Sequence, residues 1–364
     1  MASVFMTGFP GFIGSALIER LLERYDKEVR IVCLVQPKFA EAARQKAQQL
    51  ERAHPDFEGR IQLVEGDITL PDLGLGSRGK ELQQDVVEIY HLAAIYDLAI
   101  RREPAMKVNV EGTRHVLQFA EHCPRLKRFQ YTSTCYVSGR YPGKFTEQDL
   151  DKGQKFNNYY EETKFLAEVE VQRYMREGMP TTIYRPAIVV GDSRTGETQK
   201  YDGPYFVMQW YLRSPRIVVL PVPGNPNRYT SNIVPRDFVV SAMQYLSGIE
   251  ASLNKVYQLC DPHPHTIKDL LEILARATRR KVVWIPMPKA VIKESLKHVP
   301  GMKQFMGIPP EAVDYFTHPT TYTCENTLRD LQGTGIYCPR FETYVDKLLA
   351  FMQAHPEIPF AGMY

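Results

Sequence analysis

The sequence predicts an α/β fold built on a doubly wound parallel sheet. Short apolar runs recur along the first half of the chain, and segments with helical periodicity fill most of the gaps between them. A glycine turn joins the first apolar run directly to the first helical segment. Alternation of this kind is typical of a parallel sheet that is covered by helices on both faces.

The predicted elements follow one another as strand, helix, strand. Each predicted strand is a short run of apolar residues, and the runs are Ser3–Met6, Val29–Val35, Arg60–Val64, Val86–Leu92, Arg128–Thr132 and Thr182–Tyr184. The predicted helices end near glycine, proline or a polar cluster, and they are Phe12–Arg24, Phe39–Arg52, Ala105–His122 and Tyr159–Glu177. We therefore expect residues 1–190 to form a doubly wound domain.

The pattern changes after Gly191. Prolines crowd between Pro204 and Pro235, and the later helices no longer alternate regularly with strands. Those helices are predicted at Thr266–Arg279 and Phe341–Ala354. We expect residues 191–364 to form a smaller substrate-binding portion. Two strand-like runs, Asn232–Val234 and Val256–Leu259, indicate that residues 230–260 return to the first domain, so that the two portions interleave.

The composition favours small-molecule chemistry. The chain has 364 residues, of which 44% are apolar, and a net charge of only +3, so it lacks the basic stripe that nucleic-acid binding requires. No apolar run approaches the roughly 20 residues of a membrane helix, and we identify no targeting segment. The six cysteines include no Cys-x-x-Cys pair, which is typical of a reducing compartment. We therefore expect a cytoplasmic protein.

The glycine turn between the first strand and the first helix predicts a dinucleotide site. It reads Thr7-Gly8-Phe9-Pro10-Gly11-Phe12-Ile13-Gly14. Gly8 lets the chain turn sharply, Gly11 lets the backbone approach a pyrophosphate, and Gly14 lets helix and strand pack closely, as in a Rossmann domain. The phosphates would face the free N–H groups at the helix N-terminus.

Tyr160 and Lys164 form a second chemical motif. They lie four residues apart in a predicted helix, so both side chains project from one face. An ammonium beside a phenol lowers the phenol pKa, which would make Tyr160 a proton donor to a reacting carbonyl. Thr134 follows a predicted strand at the carboxyl edge of the sheet, where its hydroxyl could orient that carbonyl. The alternative is that the pair lies on a solvated helix face.

With these motifs in this order, the chain resembles the extended short-chain dehydrogenase/reductases, whose signature is Gly-x-x-Gly-x-x-Gly, a Ser/Thr strand end and Tyr-x-x-x-Lys. Within them it is most similar to the branch of male-sterility-type fatty acyl-CoA reductases and thioester reductase domains. The stretches that support this closer likeness are Val29–Val35, His91–Ala94, Asn109–Thr113, Tyr184–Pro186 and Gly191–Gly196. The likeness covers residues 1 to about 260.

The resemblance implies a role for each matching residue. Tyr160 corresponds to the proton donor, Lys164 to its partner and Thr134 to the hydroxyl that orients the carbonyl. Ser133 is an adjacent hydroxyl in a competing register. Asn109 corresponds to the helix residue that supports the proton relay, although an asparagine in a helix commonly bonds nearby backbone instead.

The remaining expected contacts follow from the same likeness. Asp67 and Ile68 resemble the pair that meets the adenine. The other expected cofactor contacts are Ala93, Ala94, Thr132, Tyr160, Lys164, Pro186 and Ile188. The expected substrate contacts are Tyr96, Tyr136 and Tyr205, the last of which belongs to an aromatic cluster directly after the Gly191–Gly196 loop.

The end of the second strand bears on the choice of cofactor. An NAD site of this architecture has a carboxylate there, whereas an NADP site avoids that charge and supplies a cation. Here the chain reads Val35-Gln36-Pro37-Lys38, so no carboxylate would repel a 2′-phosphate and Lys38 could reach one. The related branch usually has arginine where this chain has Gln36. We expect NADPH in preference to NADH.

These observations predict an NADPH-dependent reductase that transfers hydride to an activated carbonyl. An acyl thioester would give an aldehyde, and an aldehyde or ketone would give an alcohol. One alternative is a ketone reductase of the hydroxysteroid or flavonol type, and another is a sugar-nucleotide epimerase or dehydratase, which would prefer a carboxylate after the second strand. A third, from another class, is an NADPH-sensing scaffold without catalysis.

The expected partner is a small-molecule carbonyl substrate. If it is an acyl thioester, it would arrive as an acyl-CoA or on a separate carrier protein, because we identify no adenylation or carrier domain in the sequence. The resemblance implies either a single chain or a homodimer, and we favour the homodimer. His263 and His265 lack further ligands at metal-site spacing, so no metal is expected. Strand alternation points Cys135 away from the site, which indicates a structural thiol.

Overall fold

A computed structural model of the chain describes residues 2–298 and 309–359. Its strands are β1 (Ser3–Thr7), β2 (Arg30–Val35), β3 (Ile61–Glu65), β4 (Val86–His91), β5 (Arg128–Thr132), β6 (Gly143–Phe145), β7 (Thr181–Pro186), β8 (Ile188–Val190), β9 (Ile217–Pro223), β10 (Ile233–Pro235), β11 (Lys255–Leu259), β12 (Lys281–Met287) and β13 (Thr320–Tyr322). Seven of them form one sheet in the order β11-β7-β5-β4-β1-β2-β3, and every pairing is parallel. The predicted fold class is confirmed.

Helices connect and cover these strands. They are α1 (Phe12–Arg24), α2 (Ala40–Ala53), α3 (Ser77–Asp85), α4 (Arg102–Ala105), α5 (Gly112–Glu121), α6 (Tyr159–Arg176), α7 (Pro204–Arg213), α8 (Arg236–Gly248), α9 (Ile267–Ala277), α10 (Lys289–His298), α11 (Glu325–Asp330) and α12 (Val345–Ala354). A π-helical turn, Met106–Glu111, joins α4 to α5. Among the described residues, no helix is long and apolar enough to cross a bilayer.

Both faces of the sheet are buried because its strands alternate their side chains. Val4 and Met6 belong to the apolar cluster that contains the buried faces of α1 and α8, whereas Phe5 belongs to the cluster under α5 and α6. Strand order reverses between β1 and β4. A crevice therefore opens at the carboxyl ends of these two strands, where open α/β sheets bind their ligands.

The later part of the chain has an apolar core of its own. α7, α9 and α12 share a buried cluster with the inward side chains of β9, and β9 pairs with β12 in a small separate sheet. Lys255–Leu259 returns to the main sheet beside β7. The other strand-like run does not join that sheet, because Ile233–Pro235 pairs only with β8, in a separate two-stranded sheet.

Several predicted boundaries are wrong by a few residues. The helix predicted to begin at Ala105 begins at Arg102 and contains the π-helical turn. The strand predicted at Thr182–Tyr184 extends over Thr181–Pro186, since pairing with β5 and β11 continues into flanking polar residues that carry no apolar signal.

Candidate active site

A cavity of about 380 Å³ lies at the crevice between β1 and β4 and extends into the later part of the chain. One end is lined by the glycine turn and the start of α1, and the other by α7, α9 and the segment Pro310–Thr317. The predicted residues on its wall are Gly8, Gly11, Phe12, Ile13, Gly14, Ala94, Tyr96, Thr132, Thr134, Tyr136, Tyr160, Lys164, Pro186 and Ile188. The cavity thus contacts both motifs.

The glycine turn has no room for side chains at two positions. Gly8 has a φ of +95°, and a Cβ there would lie 2.9 Å from the backbone nitrogen of Ala93. A Cβ at Gly14 would lie 2.5 Å from the carbonyl oxygen of Gly8. Alanine at either position would therefore require the turn to move away from β4 or from α1.

The start of α1 offers backbone donors to the cavity. Gly11 precedes the helix, and no side chain caps it. The first N–H groups of a helix have no partner within the helix, and the helix dipole favours an anion at this end. Gly11, Phe12 and Ile13 all line the cavity. These residues fit the diphosphate of a dinucleotide.

A buried histidine supports the turn from behind. His91, at the end of β4, has its Nδ1 2.7 Å from the Thr7 hydroxyl and its Nε2 2.9 Å from the Thr113 hydroxyl. Burial lowers the pKa of His91 to about 3, so the ring is neutral at physiological pH. The Thr7 hydroxyl also accepts from the backbone N–H of Ala93. Thr7 and Ala93 thus hold the turn against β4 rather than line the cavity.

Tyr160 and Thr134 face the middle of the cavity together. Both line its wall. The Tyr160 ring packs edge-on against Tyr96, with 4.9 Å between ring centroids. Burial raises the pKa of Tyr160 above its usual value, and the neighbouring Thr134 hydroxyl opposes that rise. Two hydroxyls are therefore placed where they can bond one carbonyl oxygen.

Lys164 does not act on Tyr160 in the way that the spacing predicts. Its Nζ donates to the carbonyl oxygen of Thr132 at 2.8 Å and to the Tyr131 hydroxyl at 3.1 Å. Burial lowers the pKa of Lys164 to about 7, and the charge of Glu168 opposes this. The expected lowering of the Tyr160 pKa is thus wrong. Burial raises this pKa, and the Lys164 ammonium is bonded to β5 instead of to Tyr160.

Asn109 lies behind α6 instead of on the cavity wall. Its Oδ1 accepts from the backbone N–H of Ile95 at 2.9 Å, and its Nδ2 donates to the Thr163 hydroxyl at 3.0 Å. It therefore ties the segment that carries Tyr96 to α6. Its backbone partner lies 14 residues away, so the side chain does not make the local backbone bond of the alternative, and the proton-relay role stays a prediction.

A buried ion pair joins three elements beneath the two hydroxyls. Arg185 of β7 and Glu168 of α6 are fully buried, with 2.6 Å between Nη2 and Oε1. The Ser133 hydroxyl donates to Glu168 Oε2 at 2.5 Å, whereas the Thr134 hydroxyl donates to the carbonyl oxygen of Pro186 at 3.4 Å and accepts from the N–H of Tyr136 at 3.2 Å. This pair was not predicted, since its members lie on different elements and no local spacing relates them.

The expected adenosine-binding residues lie outside the cavity wall, near the ends of β2 and β3. Gln36 is hydrogen-bonded to the Asp67 carboxylate, which also accepts from the N–H of Thr69 at 2.8 Å. These hydrogen bonds lower the pKa of Asp67 against the effect of burial. Ile68 is buried, and Lys38 lies with its Nζ 4.9 Å from the centroid of the Phe39 ring.

Two expected residues belong to the core rather than to the cavity. Tyr205 is buried, and its hydroxyl accepts from the backbone N–H of Gly191 at 2.9 Å. The cavity wall in this helix is formed by Phe206 and Val207 instead, because they lie on the other face of α7. Phe9 is buried in the cluster beneath α1.

The apolar end of the cavity was not predicted. α9 contributes three leucines to it, Leu270, Leu271 and Leu274, which share one helix face. Ala312, Tyr315, Phe316 and Phe341 also contribute to the wall. The periodicity of α9 indicates a buried face, but nothing in the sequence shows that this face meets a cavity rather than core.

The sequence matches the model of an NAD-binding family, described as male sterility protein, over residues 6–243. It is 28% identical over 306 residues to the non-canonical nonribosomal peptide synthetase cpsA of Aspergillus campestris, covering 79% of this chain and 28% of that protein. It is 28% identical over 239 residues to fatty acyl-CoA reductase wat of Drosophila melanogaster, covering 56% of this chain and 46% of that protein. The chain thus spans less than half the length of either relative.

The fold resembles that of a solved reductase domain over almost its whole length. The terminal R domain from the myxalamid PKS-NRPS biosynthetic pathway superposes with a TM-score of 0.84 at 25% identity, covering 99% of this chain and 92% of that one. The likeness includes the portion after residue 243, which the family model does not match.

Proposed function

The chain belongs to the male sterility protein family of NAD-binding domains, and on that premise we propose that it is an NADPH-dependent reductase of the extended short-chain dehydrogenase/reductase type. Its substrate is an activated carbonyl, either an acyl thioester that gives an aldehyde or an aldehyde or ketone that gives an alcohol. The observation that best supports this proposal is that two hydroxyl-bearing residues, Thr134 and Tyr160, both line the cavity that contains the glycine turn.

In this proposal the protein positions the substrate and supplies a proton. Bound NADPH would supply the hydride. The hydroxyls of Thr134 and Tyr160 hold the carbonyl oxygen, and Tyr160 donates its proton to the alkoxide that develops there. From a thioester this gives a thiohemiacetal, which loses thiol to form the aldehyde. Because burial keeps Tyr160 protonated through the neutral range, it is suited to donate rather than to accept.

Lys164 gives the reaction its pH dependence. Its pKa of about 7 means that the ammonium is present below that pH and is lost as pH rises. We expect kcat/KM for NADPH, which reports ionisations of the free enzyme, to fall as pH rises through about 7, because Lys164 lines the cavity and the loss of its positive charge weakens the attraction for the anionic cofactor. Steady-state kinetics at a series of pH values measure this. Lys164→Met is expected to give a low, flat profile, and a wild-type profile without a fall would contradict the assignment.

The preference for NADPH rests on the end of β2. Gln36 carries no charge, and Lys38 is the nearby cation in the sequence. We expect kcat/KM with NADPH to exceed kcat/KM with NADH. Lys38→Met should lower kcat/KM with NADPH about tenfold and leave kcat/KM with NADH unchanged. Lys46→Met, which removes a half-buried lysine on α2, is the matched control. Activity with NADH above that with NADPH would reject this choice of cofactor.

The thioester would arrive as a CoA ester or on a carrier protein. One relative is named a fatty acyl-CoA reductase, which favours the first source, and the other a nonribosomal peptide synthetase, which favours the second. The apolar far end of the cavity is suited to an acyl chain with no charge, because the α9 side chains there are isoleucine and leucines.

One assay tests the proposed function directly. Purified protein is incubated with NADPH and a panel of acyl-CoAs, aldehydes and ketones, and the loss of absorbance of the reduced cofactor is followed. Turnover with at least one class supports the proposal. Tight NADPH binding without turnover on any of them would instead favour the nucleotide-sensing scaffold.

A further inference from the structure

Tyr315 attaches one wall of the apolar end to α6, the helix that carries Tyr160. The segment Pro310–Thr317 contributes Ala312, Tyr315 and Phe316 to the cavity wall. The Tyr315 hydroxyl donates to Glu161 Oε1 at 2.7 Å and accepts from Asn158 Nδ2 at 2.9 Å. Both partners belong to the start of α6, the helix of Tyr160. The contact therefore crosses from the substrate-binding portion to the dinucleotide-binding domain.

The side of this contact on α6 is rigid. Asn158 caps the helix by accepting from the N–H of Glu161 at 3.0 Å. Glu161 is fully buried, and Asn157 donates to its carboxylate from the backbone at 2.8 Å and from the side chain at 3.1 Å. A buried carboxylate stays favourable only while its hydrogen bonds are made, so Glu161 holds the tyrosine hydroxyl in one place.

The other side of the contact leads to the apolar wall. The Tyr315 ring packs edge-on against Tyr136, which also lines the cavity, with 5.1 Å between ring centroids. Asp314 is paired with Lys289 at 3.1 Å and Lys293 at 2.8 Å, so the segment is also joined to α10. Tyr315 thus connects a wall that is built from the later part of the chain to the position of the proton donor.

We propose that Tyr315 is a positioning residue that sets how the enzyme holds long acyl groups. This inference rests on the proposed function and deepens it, because it names the residue that fixes the acyl wall relative to Tyr160. A long chain reaches the wall formed by Ala312 and Phe316, whereas a short one needs only the two hydroxyls at the carbonyl. Loss of the contact should therefore raise KM for long substrates and leave kcat unchanged.

The test compares Tyr315→Phe with a matched control. Phenylalanine keeps the ring and removes only the hydroxyl. The control is Tyr257→Phe, since the Tyr257 hydroxyl also donates to a carboxylate, Asp330 Oδ2, at 2.7 Å. Neither Tyr257 nor Asp330 lines the cavity. KM and kcat are measured for decanoyl and propanoyl thioesters of CoA, or for decanal and propanal, whichever pair the wild type reduces.

We expect Tyr315→Phe to raise KM for the long substrate roughly tenfold, with kcat and the short-substrate constants within about twofold of wild type. Tyr257→Phe is expected to change neither KM. The inference would be overturned if Tyr315→Phe and wild type had equal KM values for the long substrate. It would also be overturned if both variants raised KM for both chain lengths, since either result is what a purely structural hydroxyl gives.

A binding measurement separates this inference from the proposed function. If the wild type reduces no substrate of either length, the proposed function fails, and the affinity for dansyl-labelled undecanoic acid is measured by fluorescence. If Tyr315→Phe then binds this fatty acid more weakly than wild type and Tyr257→Phe do, the result supports the role of Tyr315 in the wall independently of the proposed function. Equal affinities of all three proteins would overturn it.

Discussion

Replacing Tyr160 with phenylalanine is expected to lower kcat about a thousandfold while the Kd for NADPH stays unchanged. The substitution removes only the phenol oxygen, beside which Thr134 lies on the cavity wall. General acid catalysis by a positioned side chain typically contributes about a hundredfold to ten-thousandfold, and no second ionisable hydroxyl takes its place in the Thr134–Tyr160 pair. The reduction rate is measured by NADPH consumption, and cofactor binding by quenching of protein fluorescence.

The neighbouring tyrosine provides the control for this variant. Tyr159 is 44% exposed and adjoins Tyr160 in the first turn of α6, so Tyr159→Phe is expected to retain wild-type kinetics. The Tyr160→Phe ring can still pack against Tyr96, and the fold should therefore be preserved. Turnover at the wild-type rate in Tyr160→Phe would remove this residue from the mechanism and leave the cavity as a binding site only.

The sequence indicates the parts of the site that depend on local geometry. The glycine turn needs only the order strand, turn, helix, and the positions of Tyr160 and Lys164 need only the period of a helix. Both motifs meet at one cavity because parallel strands align their carboxyl ends. What local spacing cannot give is the direction of a side chain relative to another element. Lys164 is bonded to β5 for that reason, although its spacing suggests contact with Tyr160.

The apolar end of the cavity was missed for a related reason. It combines α9 with the segment Pro310–Thr317, which lies well beyond the stretch with family likeness. A leucine face on a helix has the same pattern whether it meets the core or a cavity. Tyr205 shows the converse error, since its place in an aromatic cluster suggested a substrate contact, but its hydroxyl bonds a backbone N–H in the core.

The Glu168–Arg185 pair links stability to the geometry of the site. We expect Arg185→Met to lower the free energy of unfolding by about 3–5 kcal/mol, because it leaves a fully buried carboxylate without its counter-ion. The doubly substituted Arg185→Met/Glu168→Leu protein should lose less than the single variant, since no buried charge remains. Urea unfolding measures both, and a double variant that is less stable than Arg185→Met would contradict this account.

A surface pair on the same helix is the matched control. Arg173 and Glu177 are 3.0 Å apart but about half exposed, so Arg173→Met should leave the free energy of unfolding nearly unchanged. We also expect the buried pair to affect catalysis, because Glu168 holds the Ser133 hydroxyl at 2.5 Å next to Thr134 and lies one helical turn beyond Lys164. The double variant, even where it is folded, should therefore reduce substrate more slowly than wild type, because the two hydroxyls proposed to act in catalysis lose the support that keeps them together.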